Sequence, residues 1–125
     1  MPTGYLVPAP PQISPKATVV AHAASATLTV ADFGKIHTNT GASGATIYTL
    51  PAPADAAGVT LRVQLTVAQT VQLLPPSGKS VYLGGSGVAS KYALLAGVIG
   101  NYVDLFSDGE AYLITGYSGV VTKEA

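Results

Sequence analysis

The sequence predicts an all-β protein: an antiparallel β-sandwich, a jelly-roll-like arrangement or a short barrel, carrying an extended Pro-rich N-terminal arm. Three observations predict it. Between residues 59 and 67, Val59, Leu61, Val63, Leu65 and Val67 alternate with Thr60, Arg62, Gln64 and Thr66. A period of two gives a strand one apolar and one polar face, whereas a helix would scatter those five side chains around its circumference. Short apolar runs are separated by Gly, Pro, Asn and Asp along the chain, with no strand–helix alternation of the kind a parallel α/β sheet requires. Pro2, Pro8, Pro10, Pro11 and Pro15 crowd the first residues and block helix and central strand alike.

The elements follow in order. Residues 1–24 are assigned to the arm and 25–125 to the β domain. The arm is extended but not polar, because Tyr5, Leu6, Val7 and Ile13 are interleaved with Pro8, Pro10 and Pro11. A flexible linker is rich in Ser, Gly and charge. These seven residues are therefore the candidate partner-binding arm, pre-ordered by proline and suited to a groove on a neighbour. Residues 17–27 combine helix-favouring alanines with the strand-favouring Thr18–Val20, and are read as extended.

Leu28 and Val30 continue the period of two, and Asp32-Phe33-Gly34 turns the chain. Strands are expected at 35–40, 45–50, 59–67, 70–74 and 81–83. The glycines at 84, 85 and 87 make a loop, and 91–96 is short enough to hold one helical turn before Gly97. A strand at 98–106 precedes Asp108-Gly109, a strong hairpin signal. Its partner runs over 111–115, and a last strand covers 120–122.

Charge bounds the function. Of 125 residues 10% are charged, six basic against six acidic, while 48% are hydrophobic. Ordinary soluble domains carry roughly 25% charged residues. Nucleic-acid binding needs a basic footprint, and this chain has none. No run of about 18 apolar residues is present to span a membrane, and no charged segment followed by an apolar one marks a secretory signal. So sparse a charge, with a net of zero, implies a surface covered by copies of the chain or by a partner.

Catalytic signatures are weak. Gly78-Lys79-Ser80 matches the tail of a phosphate-binding loop, but Leu73 stands where that loop needs its first glycine, and a hairpin turn accounts for it. His22 and His37 lack further ligands at metal-site spacing. Asp104 and Glu110 are placed across the hairpin from each other, where a solvated polar face suffices, and Asp108 belongs to the turn. Cysteine is absent, which excludes thiolate sites, and no cofactor is expected. Seven tyrosines and no tryptophan favour a subunit interface over a sugar-stacking site. Tyr48, Tyr82, Tyr102 and Tyr112 are the candidates for it. The expectation is a structural protein, not an enzyme.

The stretch LTVADFGKIHTNTGASGATIYTLPAPADAAGVTL (28–61) resembles small structural proteins of tailed bacteriophages. There a strand, an Asp-x-Gly-Lys turn, a strand ending in Asn-Thr-Gly-Ala and a strand closing in Leu-Pro recur. The segments AQTVQLLPPSGKSVYLGG and NYVDLFSDGEAYLITGYSG are similar to them too, so the resemblance spans about residues 27–119. It implies a virion component of capsid-decoration or head-fibre type, all-β, homo-oligomeric and expected as a trimer. Its partner would be the major capsid protein, and it would sit on the capsid surface after synthesis in the host cytoplasm. The alternative is a head- or tail-fibre module that recognises host surface glycan. The family supplies no catalytic residues.

Overall fold

The computed structural model describes residues 16–123. Eleven short strands build it: β1 (Val19–Ala21), β2 (Ala26–Thr27), β3 (Ile36–Thr38), β4 (Thr46–Thr49), β5 (Thr60–Gln64), β6 (Val71–Leu74), β7 (Val81–Tyr82), β8 (Ala93–Leu95), β9 (Tyr102–Ser107), β10 (Tyr112–Ser118) and β11 (Val121–Lys123). They form a six-stranded sheet in the order β1-β3-β5-β9-β10-β7 and a five-stranded sheet in the order β11-β8-β6-β4-β2. Leu61, Val63, Val103, Leu105 and Tyr112 of the first sheet share one buried cluster with Tyr48, Val71, Leu73, Ala93 and Leu95 of the second. The molecule is thus nearly all β, two layers around one core, as a β-sandwich requires.

The alternation in β5 does what the sequence predicts. Leu61, Val63 and the following Leu65 point inward at 2% exposure or less, while Arg62 and Gln64 stay half-buried on the outer face. Burying an aliphatic side chain of this size contributes about 1.5–3 kcal/mol.

The pairing differs from the antiparallel expectation. Strands β5–β9, β9–β10, β6–β8 and β8–β11 are antiparallel. The pairs β1–β3, β3–β5, β2–β4, β4–β6 and β7–β10 are parallel. The cause is the winding of the first half of the chain. Odd and even strands from β1 to β6 fall in opposite sheets. A strand that returns to its sheet after crossing to the other runs in its former direction, so the opposite sheet serves as the crossover that parallel neighbours need.

Three further expectations are corrected. Val19–Ala21, inside the segment assigned to the arm, is a strand of the six-stranded sheet, and Ala26–Thr27 follows in the other sheet. Val30 does not prolong a strand but begins a 3₁₀ turn, Val30–Asp32, fastened by the Asp32 carboxylate accepting from the Thr29 N–H at 2.7 Å and its hydroxyl at 3.2 Å. Residues 93–95 are strand β8 rather than a helical turn, because β6 and β11 pair on both sides of it.

Turn chemistry fixes the rest. Leu83 and Ser86 exchange main-chain hydrogen bonds of 3.0 and 3.2 Å around Gly84-Gly85, both at positive φ. That is the geometry of a tight type I′ hairpin, which glycine adopts without strain. At the Asp108-Gly109 turn the Asp108 carboxylate accepts from the N–H groups of Glu110 (2.8 Å) and Ala111 (2.9 Å). Those bonds hold its carboxyl below the usual carboxylate range.

Candidate interaction surfaces

The outer face of the five-stranded sheet is built by residues of alternate parity to the core. Register places Ile47, Gln72, Leu94 and Thr122 in one row across β4, β6, β8 and β11. Thr27, Thr49 and Leu74 form a second row at the β2 side. None of these side chains is charged. Lys123, the single charged residue in the five strands, turns its Nζ to the Ser86 hydroxyl at 2.9 Å. A groove of about 320 Å³ lined by Ser25, Thr27, Ile47, Thr49 and Leu74 runs along this face beside β2.

The outer face of the six-stranded sheet is different. Ile36, Arg62 and Asp104 stand in one row. The Arg62 guanidinium donates to both Asp104 carboxylate oxygens, at 2.7 and 2.9 Å, and lies 4.3 Å over the Tyr102 ring. A shallow depression of about 330 Å³ beside them is lined by Lys35, Thr60 and Thr115. At one end of the molecule Val98, Ile99 and Val120 are 58%, 66% and 61% exposed. They are neighbours because the Ala96 N–H donates to the Val120 carbonyl and the Asn101 N–H to that of Val98.

The tyrosine assignment divides. Tyr82 and Tyr102 are half-buried on the outer face and stay available to a neighbour, although Arg62 already covers Tyr102. Tyr48 and Tyr112 are corrected: both have no exposed surface and belong to the core. Their hydroxyls donate inward, Tyr48 to the Thr38 carbonyl at 3.2 Å and Tyr112 to the Pro51 carbonyl at 2.6 Å. Burial pushes the Tyr48 phenol up, and pushes the Tyr112 phenol up to about 12 with the Asp55 charge as a lesser cause. The arm candidates Tyr5, Leu6, Val7, Pro8, Pro10, Pro11 and Ile13 lie outside the described residues.

The remaining chemical candidates resolve into structure. Gly78-Lys79-Ser80 is a turn, with the Lys79 N–H donating to the Pro76 carbonyl at 3.0 Å and the Gly78 N–H to the Ser90 hydroxyl at 2.7 Å. Asp104 and Glu110 do not face each other: Asp104 pairs with Arg62, and Glu110 lies 3.7 Å from the Lys79 ammonium. Among the described residues no three His, Cys, Asp or Glu side chains converge as metal ligands. No helix there is long and apolar enough to cross a membrane.

Two arrangements escaped the sequence reading. Asn39, in the Asn-Thr-Gly-Ala stretch, is fully buried and ties its loop to 66–69 by its carboxamide. His22 and His37, fifteen residues apart, are joined by a 2.8 Å hydrogen bond. Each spacing would have been informative only with the parallel winding of β1 to β6 in hand.

No family model matches the sequence, and no curated protein matches it.

Proposed function

We propose that this chain is a non-catalytic structural component of a tailed-bacteriophage particle, a capsid decoration protein that binds the outside of the head. The observation that carries the reading is the uncharged outer face of the five-stranded sheet, with Gln72 at its centre between Ile47 and Leu94. A face that is buried in an assembly loses its water, and an unpaired charge there costs several kcal/mol by order of magnitude. A face free of charge escapes that cost. The resemblance of residues 27–119 to virion structural proteins supplies the kind of assembly, and the major capsid protein is the partner of choice. Self-association, as a trimer, would multiply weak contacts into stable attachment, with the Pro-rich residues 1–16 as a second contact.

The test is cosedimentation of the purified protein with expanded capsids that lack it. Saturable binding with one fixed copy number per capsomer supports the reading. No binding by the full chain, together with a monomeric mass in light scattering at high concentration, overturns it.

A further inference from the structure

The chain has two histidines, and the fold brings them into contact. His37 sits in β3 on the inward face, with no exposed surface. Its Nε2 is 2.6 Å from the main-chain carbonyl oxygen of Asp32. A carbonyl only accepts, so Nε2 carries a proton and donates. In the neutral ring Nδ1 is then a lone pair. His22 Nε2 lies 2.8 Å from it and supplies the hydrogen. The ring planes differ by 12° with centroids 5.1 Å apart, so the two imidazoles meet edge to edge. The result is a directed chain, His22 N–H to His37 N, then His37 N–H to the Asp32 carbonyl.

This chain of bonds fastens an edge. His22 directly follows β1, the outermost strand of the six-stranded sheet, and its own N–H donates to the Thr38 carbonyl at 2.9 Å. Strand β1 is three residues long and, among the described residues, pairs only with β3, through Val19–Ile36, Val20–His37 and Ala21–Thr38. So short an edge strand holds little apolar burial of its own: Val19 is 60% exposed.

We propose that His22 and His37 form a proton-operated latch that holds β1 against β3 at neutral pH and releases it in acid. One added proton can be shared, because His22 can present its other tautomer and accept. A second cannot. It leaves two N–H groups pointing at each other and two cations side by side, with no lone pair between them.

Among the described residues no counter-charge is hydrogen-bonded to either ring, and Asp32 acts on His22 only through its field. Tyr48, from β4, presents its ring 5.0 Å from that of His22 and gives its hydroxyl proton to the Thr38 carbonyl. From β5, Val63 stands opposite His37, and from β1, Val20 does. The Asp32 carboxylate is engaged by Thr29, and Lys35 offsets it nearby. Burial, then the charge on His37, hold the His22 imidazole below its ordinary value of 6.5, with Asp32 opposing weakly. A histidine whose native value is lowered contributes stability that is complete above 6.5 and is lost as pH falls below it. Release of β1 would open the edge of β3 as a template for a strand from a partner.

Hydrogen exchange of the full chain, corrected for intrinsic rates, tests the latch. The reporters are the amides of His22 and Ile36, which bond across β1 and β3 to Thr38 and Thr18. Their protection should fall about tenfold or more between about pH 7.5 and about pH 5, while amides between β5 and β9 hold theirs. In His22→Gln the carboxamide can turn either end to His37, so protection should persist across that range. Equal protection at both pH values in the natural sequence overturns the latch, as does an unchanged acid loss in His22→Gln. If that variant does not fold, nitrogen NMR of the natural protein decides. A His37 ring protonated on Nε2 and bonded through Nδ1 at neutral pH upholds the pair, and two freely titrating imidazoles overturn it.

Discussion

Asn39 and Val67 are joined twice: the Asn39 Oδ1 accepts from the Val67 N–H at 3.0 Å, and its Nδ2 donates to the Val67 carbonyl, also at 3.0 Å. The same oxygen takes the Thr66 N–H at 2.9 Å, and the same nitrogen reaches the Gln69 carbonyl at 3.2 Å. Donors on one side and carbonyls on the other fix which end of the carboxamide is which. One side chain thus satisfies four main-chain groups of a loop that has no ladder of its own.

Asn39→Ala should therefore destabilise the domain by about 2–4 kcal/mol, since it empties a fully buried site as well as removing the bonds to the half-buried 66–69 loop. In a domain of this size that lowers the melting midpoint by roughly 10 °C or more. Asn39→Asp should be as harmful, because a carboxylate would face two carbonyls. A thermal melt of either variant within about 2 °C of the parent would contradict the clamp.

Gly119 precedes β11 at φ +83, and a methyl group there would run into the Asn101 carboxamide. Asn101 cannot yield cheaply. It is 7% exposed, donates to the Ala96 carbonyl at 3.0 Å, and its own carbonyl takes the Leu65 N–H at 2.8 Å. Gly119→Ala should cost about 2–4 kcal/mol, of which left-handed backbone strain accounts for about 1. Adding Asn101→Ala removes the collision, so the pair of changes should cost less than the sum of the singles in denaturant melts. Strict additivity would show that the two residues do not meet.

How much of this was legible in the sequence depended on what each signal encodes. The period of two across Leu61, Val63 and Leu65 reads directly as an inward face, and Asp108-Gly109 reads as a turn because its side chain closes it. Strand direction leaves no such trace: Val19–Ala21 would look the same paired either way, so the parallel β1–β3–β5 series was hidden. Residues 93–95, Ala-Leu-Leu, favour helix locally, and only β6 and β11 on either side override that preference. The tyrosines failed for a related reason. Their number suits an interface, but their parity decides their role. Tyr48 shares the inward parity of Thr46 and Leu50, while Tyr102 shares the outward parity of Asp104.

The Tyr112 phenol, buried and donating to Pro51 at 2.6 Å, should resist ionisation until about pH 12. A phenol whose native value is raised contributes stability that is complete below the ordinary value of 10.0 and is lost as pH rises toward about 12. Ultraviolet titration of the phenolate band should show Tyr112 ionising only in that late range. In Tyr112→Phe the late component shrinks by one phenol, the buried Tyr48 still being held up, and the neutral-pH stability drops by about 1–2 kcal/mol, because the Pro51 carbonyl loses its partner. A titration that completes for all tyrosines near the ordinary value, with the fold intact, would refute the assignment.

The outer face of the five-stranded sheet makes the functional prediction. Gln72 lies on β6, the middle strand, with Ile47 on one side and Leu94 on the other. Gln72→Glu keeps the shape and adds one negative charge; Gln72→Lys keeps the aliphatic stem and adds one positive charge. Because Gln72 is half-buried at an outward position, both variants should fold with melting midpoints within about 5 °C of the parent. Both should bind capsids about tenfold or more weakly, the equivalent of ~1.4 kcal/mol. The agreement in sign between them is the discriminating result. If removal of water from the face is what opposes a charge, either sign suffers. If long-range attraction governs docking, one variant weakens and the other strengthens, and the loss fades as salt is raised. Thr115→Lys, exposed on the opposite sheet, serves as the control and should leave capsid occupancy unchanged. Full occupancy by both Gln72 variants would remove this face from the contact and leave the tip formed by Val98, Ile99 and Val120 as the surface to test next.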